Sequence, residues 1–96
     1  MTNPFFIAFE GIDGSGKSTQ SKLLRDALEE LNHKVLLTAE PTNQTIGSII
    51  RAAFSGRIEA DHRTIAGLFV ADRLEHILHS EYGMQAMRDN GYHIIC

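Results

Sequence analysis

The sequence has 96 residues, of which 43% are hydrophobic and 22% charged, a composition typical of a globular protein that argues against a disordered or low-complexity chain. Nine basic and twelve acidic residues give a net charge of −3, which does not resemble the basic composition of a nucleic-acid-binding protein. This length is typical of at most one domain. The chain starts without a signal-peptide pattern and has no apolar stretch near the ~20 residues of a membrane span, so we expect a cytoplasmic protein without membrane contact.

The first half of the chain alternates between strand and helix patterns. Residues 5–9 form an apolar run before a glycine-rich stretch, which predicts a buried strand that leads into a loop. Apolar residues at helical spacing predict a helix over 17–31, and residues 34–38 predict a second strand. Pro41 favours a loop over 40–43. The apolar stripe of the first helix consists of Leu23, Leu24, Ala27, Leu28 and Leu31.

The second half continues this alternation. A helix is predicted over 45–54, and Asp61 is a suitable N-cap for a longer helix over 62–79. A short helix over 84–89 and a third strand over 92–96 follow. Strands that alternate with helices predict an α/β fold in which helices cover a parallel sheet. The inward apolar positions are Ile46, Ile49, Ile50 and Ala53 in the first of these helices, and Ile65, Leu68, Phe69, Leu74, Ile77 and Leu78 in the second.

Residues 11–18 match the phosphate-loop motif G-x-x-x-x-G-K-[ST] at every fixed position, between a predicted strand and a predicted helix. Glycines let backbone N–H groups approach phosphate oxygens, and the helix N-terminus adds a favourable dipole. We expect Lys17 to neutralise the β- and γ-phosphates of ATP and the Ser18 hydroxyl to bind Mg²⁺. A glycine-rich turn without a ligand is the alternative, which the complete match disfavours. The predicted ATP-binding residues are Gly11, Ile12, Asp13, Gly14, Ser15, Gly16, Lys17, Ser18 and Thr19.

Two stretches of the sequence resemble the thymidylate kinase family. Residues 9–19 read FEGIDGSGKST and resemble the family's opening F-E-G-x-D-G-x-G-K-S-T, while residues 68–73 read LFVADR and resemble its signature L-F-x-A-D-R. Glu40 and Pro41 stand where bacterial members carry R-E-P. The resemblance covers the whole chain and about the N-terminal half of a family member, whose next motif, D-R-Y, would begin directly after Cys96.

This resemblance implies a fold and an activity. It implies the P-loop kinase fold with strand order 2-3-1, in which residues 1–96 form the N-terminal part of one kinase domain. It implies ATP-dependent phosphorylation of dTMP to dTDP, with Mg²⁺, and a homodimer. We expect residues 1–96 alone to be inactive, because the D-R-Y motif, the lid and the adenine pocket of the family would lie beyond them.

The resemblance also implies roles for individual residues. Asp13 would accept a hydrogen bond from the 3′-hydroxyl of the acceptor sugar and, with Lys17, form the catalytic pair. Phe69 would stack on thymine, and Arg73 would bond the base or help to hold the acceptor. Their i, i+4 spacing supports this, because both side chains can share one helix face. The alternative is a core phenylalanine beside a surface charge. Glu40-Pro41 would shape the acceptor pocket through a cis peptide bond.

The sequence departs from the family pattern at Ala39, which replaces the arginine of R-E-P. That arginine helps to hold the acceptor phosphate in the family, so either this clamp is lost here or its role would pass to Arg51 or another base. A solvated charge is the alternative for Arg51. Residues 12–15 contain no arginine, so a transition-state arginine would come from a lid beyond residue 96.

Two other functions stay open at this point: a small P-loop kinase with a different acceptor, or a nucleotide-binding chain without catalysis.

A few remaining polar residues carry weaker signals. Only His76 and His79 of the five histidines stand at i, i+3 spacing, without a nearby cysteine, so a zinc site is not expected. Asp72 is expected to be structural and to pair with a nearby arginine. Glu10 either reaches Mg²⁺ through water or ends the first strand.

Overall fold

Three parallel strands and four helices make up the fold in a computed structural model that describes residues 4–11 and 16–96. The elements follow the predicted order, and the α/β fold is confirmed. No helix in the described ranges is long and apolar enough to cross a membrane. The elements are β1 (Phe6–Ile7), α1 (Lys17–Glu30), β2 (Lys34–Leu37), α2 (Thr45–Phe54), α3 (His62–Leu78), α4 (Met84–Asp89) and β3 (Tyr92–Ile95).

The sheet has β3 at its centre, paired in parallel with β1 on one side and β2 on the other. This confirms the predicted strand order 2-3-1. Ile94 and Ile95 of β3 are 0% exposed, because a central strand of a parallel sheet is covered by its neighbours and by helices on the faces. β1 is shorter than the predicted 5–9, since only Phe6 and Ile7 pair with β3 as strand residues.

Several apolar residues that were predicted to face inward are exposed. Leu23 of α1 is 57% exposed and Leu31, the residue that follows the helix, is 68% exposed, and α1 has no buried residue. This prediction was wrong because periodicity identifies the apolar face of a helix but not which part of it a neighbour covers. Within the described residues α1 packs mainly on β2. The same correction applies to Ile49 of α2 and to Leu74 and Leu78 of α3.

The start of α2 lies directly against the loop that follows β2. A Cβ atom on Gly47 would stand 2.0 Å from the Thr42 carbonyl oxygen, a backbone atom, so only glycine permits this approach. Ile50, one turn later, is fully buried. At the start of α3, Asp61 caps the helix as predicted, because its carboxylate accepts a hydrogen bond of 2.8 Å from Arg63 N.

A buried carboxylate ties this loop to α3. Asp72 is 1% exposed and accepts hydrogen bonds from Thr42 N at 2.8 Å and from Thr42 Oγ1 at 2.7 Å. The expected structural role of Asp72 agrees with this geometry, but its expected arginine partner does not, because Thr42 takes both carboxylate oxygens. Two charge-assisted bonds compensate the burial of the carboxylate and fix the distance between the loop and α3.

We expect Asp72→Ala to lower the free energy of unfolding by about 2–4 kcal/mol, since it leaves the buried Thr42 N–H and hydroxyl without their acceptor. Urea denaturation measures this change. Asp26→Ala, which removes an exposed carboxylate of α1, is the matched control and should change stability by less than about 0.5 kcal/mol. Equal effects of the two substitutions would contradict the structural role of Asp72.

A second polar contact joins Phe5, the residue before β1, to β3. The Nδ1 atom of His93 accepts a hydrogen bond of 2.9 Å from Phe5 N, and the Phe5 ring stacks on the imidazole with centroids 5.3 Å apart. The Nε2 atom lies 3.2 Å from His33 Nδ1. Burial, and then the neighbouring His33, lower the pKa of His93 from its ordinary value of 6.5. The bond to Phe5 therefore requires the neutral ring.

This arrangement makes stability depend on pH. Because the folded pKa of His93 lies below 6.5, the unfolded chain binds more protons as the pH falls below that value, and the contribution of His93 is lost there while it is complete above it. Melting temperatures from about pH 8 to about pH 5 should fall less in His93→Asn, whose amide oxygen can replace Nδ1 without titrating. Identical pH profiles of the two proteins would contradict this.

Candidate active site

A cavity of about 1170 Å³ lies at the carboxyl ends of the strands, where parallel α/β sheets bind ligands. Its wall is formed by residues of the stretch 6–10, by the start of α1, by the loop after β2, by α2, α3 and α4, and by Cys96. Typical ligand pockets occupy about 300–1,000 Å³, so this cavity has room for more than one small ligand. The predicted site residues among those lining it are Lys17, Ser18, Glu40, Pro41, Arg51, Phe69 and Arg73.

One end of the cavity is formed by the start of α1. Gly16 precedes the helix with φ of +86°, a conformation that glycine adopts readily, and Lys17 Nζ donates to Gly11 O at 3.1 Å. Lys17 lines the cavity with a cationic side chain and Ser18 with a hydroxyl. The positive end of the dipole of α1 lies at the same place. Residues 12–15, and with them the predicted contacts of Ile12, Asp13, Gly14 and Ser15, lie outside the described residues. Gly11, Gly16 and Thr19 are described but do not line the cavity.

An ion pair between the loop and α3 marks the other end. Arg73 Nε lies 2.7 Å from both carboxylate oxygens of Glu40, and this hydrogen bond, together with the Glu40 charge, raises the pKa of Arg73. The Glu40 side chain is 12% exposed and that of Arg73 is 61% exposed. The pair thus anchors a charged guanidinium whose two terminal amino groups are the donors that another acceptor can use.

Phe69 precedes Arg73 by one helical turn and lines the same cavity. Its ring lies 5.9 Å from the ring of Phe54 at an interplanar angle of 43°. Phe69 is partly buried, so it packs on α2 while part of its surface meets the cavity. This position is compatible both with the stacking role and with the alternative of a core residue.

The loop between these two ends is held by Arg51. Its guanidinium donates to the carbonyl oxygens of Thr42 and Pro41. The Glu40–Pro41 peptide bond is cis, as the resemblance implies. Ala39 lines the cavity with a methyl group and supplies no charge there. The role of Arg51 as a clamp for the acceptor phosphate stays a prediction. The structure shows that Arg51 lies beside the loop that follows β2.

Sequence reasoning assigned no role to His76, which the structure places behind the ion pair. Its Nδ1 lies 2.7 Å from Glu40 Oε2, and its Nε2 lies 2.7 Å from Thr38 Oγ1. The one available signal was the i, i+3 spacing from Arg73, which puts the two side chains on adjacent parts of one helix face.

The chain is similar to thymidylate kinases in sequence and in structure. Residues 9–96 match the family model described as Thymidylate kinase. A probable thymidylate kinase of Methanocaldococcus jannaschii is 51% identical over 76 residues, which are 79% of this chain and 38% of that protein. One of Pyrococcus horikoshii is 46% identical over 78 residues, 76% of this chain and 38% of that protein.

A solved structure agrees with these matches. The crystal structure of thymidylate kinase from Ehrlichia chaffeensis matches with a TM-score of 0.77 and 34% identity, over 99% of this chain and 53% of that chain. The chain thus spans less than two fifths of the length of these two relatives and about half of the solved structure.

Cys96 lines the cavity near the ion pair, and burial, followed by the charge of Glu40, raises the pKa of its thiol. We expect Glu40→Gln to lower that pKa, because it removes a negative charge and leaves the opposing charge of Arg73 in place. Alkylation by iodoacetamide at mildly alkaline pH should then be faster, since the thiolate is the reactive form. Glu81→Gln, at an exposed position, is the control; an unchanged alkylation rate in Glu40→Gln would contradict the prediction.

Proposed function

Because this chain belongs to the thymidylate kinase family, we propose that its protein transfers the γ-phosphate of ATP to dTMP and forms dTDP. One observation carries the proposal: a single cavity is lined by the phosphate-loop residues Lys17 and Ser18 and by Phe69 and Arg73. A kinase needs both kinds of surface in one space, since its catalysis consists mainly of positioning two substrates and stabilising charge.

The end formed by α1 suits the phosphates of ATP. Lys17 supplies a mobile positive charge, and the helix N-terminus supplies backbone N–H groups and a dipole. Ser18 and Glu10 also line the cavity, and their oxygens are ligands of the type that Mg²⁺ prefers, so these residues fit the ion. Mg²⁺, when bound, neutralises negative charge that develops on the phosphate oxygens.

The end formed by α3 suits a pyrimidine base. Phe69 offers an aromatic surface for stacking, and Arg73 offers N–H donors to carbonyl groups at the base edge. Because Glu40 compensates the charge of Arg73, this end favours a neutral carbonyl over a phosphate. Arg51, on α2, is the cation proposed to face the acceptor phosphate. Asp13 keeps its proposed role at the acceptor sugar, with Lys17 as its catalytic partner.

A homodimer is proposed as the assembly. Val70, Leu74 and Leu78 are exposed at i, i+4 and i+8 along α3, so they form an apolar stripe that a second copy could cover.

A second candidate is a P-loop kinase with another acceptor, and Ala39 is the observation that favours it. The methyl group of Ala39 lines the cavity at the position of the family's arginine and supplies no charge for an acceptor phosphate. The two candidates differ in acceptor preference, which the following experiment measures.

We expect the whole protein, and not residues 1–96 alone, to phosphorylate dTMP with ATP and Mg²⁺ at a kcat/KM at least about tenfold above those for dUMP, dCMP and dAMP, in a coupled assay of ADP release. Equal turnover of all four acceptors would favour the second candidate. Lys17→Ala should lower kcat for dTMP by about 100-fold or more, because it removes a preorganised charge from the transferred phosphate. Lys34→Ala, which changes an exposed residue of β2 away from the cavity, is the matched control.

A further inference from the structure

His76 is a buried histidine of α3 that reaches the acceptor end of the site from behind. Its side chain is 6% exposed, and its two ring nitrogens bond Glu40 and Thr38, which precede it by 36 and 38 residues. Glu40 and Arg73 line the cavity of about 1170 Å³, whereas His76 lines an adjoining cavity of about 450 Å³. A ligand in the larger cavity therefore meets the neighbours of His76 and not His76 itself.

The hydrogen-bond pattern assigns the proton of this imidazole. An ionised Glu40 carboxylate can only accept, so Nδ1 of His76 must carry the hydrogen of their 2.7 Å bond. In the neutral ring Nε2 then accepts, and the Thr38 hydroxyl is the donor of the other 2.7 Å bond. Thr38 is fixed in turn by its backbone N–H, which donates to Ile95 O of β3 at 2.8 Å. The chain of bonds runs from the sheet to the carboxylate.

Glu40 is shared by two groups. Its Oε2 lies 2.7 Å from both His76 Nδ1 and Arg73 Nε, while Oε1 lies 2.7 Å from Arg73 Nε. A carboxylate held from one side by a buried imidazole cannot rotate freely about its last bonds. The orientation of the exposed Arg73 guanidinium is therefore set by a donor that is itself buried.

The hydrogen-bond network of Thr38, His76, Glu40 and Arg73 puts polar side chains where apolar ones could pack without loss of hydration. Buried hydroxyl, imidazole and carboxylate groups lose their water and are tolerated only when they are mutually bonded. Among the described residues, the chain of side-chain hydrogen bonds that starts at Thr38 runs through His76 and Glu40 and ends at Arg73, in the wall of the cavity. Its one exposed member is the group with donors for a ligand.

We propose that His76 is a positioning residue, which fixes the Glu40 carboxylate and through it the Arg73 guanidinium at the acceptor end of the cavity. This inference rests on the proposed function, because dTMP is the ligand that Arg73 would meet. His76 makes no contact with substrate and takes no part in phosphoryl transfer. Its effect is on the binding of the acceptor.

Two substitutions separate the two bonds of the ring. The amide nitrogen of asparagine can take the place of Nδ1, so His76→Asn can keep the donor to Glu40 and lose the bond to Thr38. The longer glutamine places its amide near the position of Nε2, so His76→Gln can keep the bond to Thr38 and lose the donor to Glu40. The variants differ by one methylene, and each removes one buried hydrogen bond. His62→Gln, at the exposed start of the same helix, is the control.

We expect His76→Gln to raise the KM for dTMP about tenfold, the effect of losing one hydrogen bond to a charged group, with less than about a twofold change in kcat. His76→Asn should raise KM less than about threefold, because the carboxylate keeps its donor. The KM for ATP should not change in either variant. Urea denaturation should show similar losses of stability in both, so a difference in KM cannot come from stability.

Equal increases of KM in the two variants would overturn the proposal, because they would show a purely structural role. An unchanged KM in His76→Gln would also overturn it, since Arg73 would then be held without His76. If the wild-type protein does not phosphorylate dTMP, the proposed function fails separately, and hydrogen exchange of the Arg73 Nε–H by NMR decides the positioning role without substrate. Exchange should be fast in His76→Gln and slow in His76→Asn; equal rates would overturn the positioning role as well.

Discussion

The candidate site depends on how the segment from Thr38 to Thr42 is held between the sheet and the helices. Asp72 of α3 bonds its last residue, Arg51 of α2 donates to two of its carbonyl groups, and the sheet holds its first residue. Short segments without regular structure are usually mobile, since their backbone groups have no regular partners. Here charged side chains supply those partners, and the segment becomes a wall of the cavity.

This polar scheme matters because the apolar core of the described residues is small. Its fully covered side chains are mainly those of Ile50, Ile94 and Ile95. Hydrophobic burial has no direction, so a small core does not by itself fix the angle at which a helix meets a loop. Hydrogen bonds require distance and direction, and those of Asp72 and His76, one turn apart on α3, supply this constraint. The same helix therefore carries both the anchors and the proposed ligand contacts.

The sequence predicted what depends on neighbours along the chain. The bounds of α2 and α4 agree with the predicted ranges, and Asp61 is the N-cap. Four of the predicted site residues, Lys17, Ser18, Phe69 and Arg73, line one cavity. What it could not predict depends on partners far away in the chain. Asp72 accepts a hydrogen bond from a residue 30 positions earlier. The predicted arginine partner was wrong, because spacing indicates the face of a helix and not the residue that packs against it. The exposure of Leu23 and Leu31 could not be predicted for the same reason, because their spacing does not show which part of the helix face a neighbour covers.

The close approach at Gly47 limits which substitutions related sequences can accept at this position. A methyl group there would meet a backbone oxygen, which cannot move aside by changing rotamer, so α2 would have to retreat as a body. Arg51 lies one turn further along α2 and would retreat with it, away from the carbonyl groups of Pro41 and Thr42 that it now holds. Gly47 lines neither cavity. A comparison limited to the residues that line the cavity would therefore overlook a substitution of Gly47, although this substitution would weaken the contacts that hold the cavity wall.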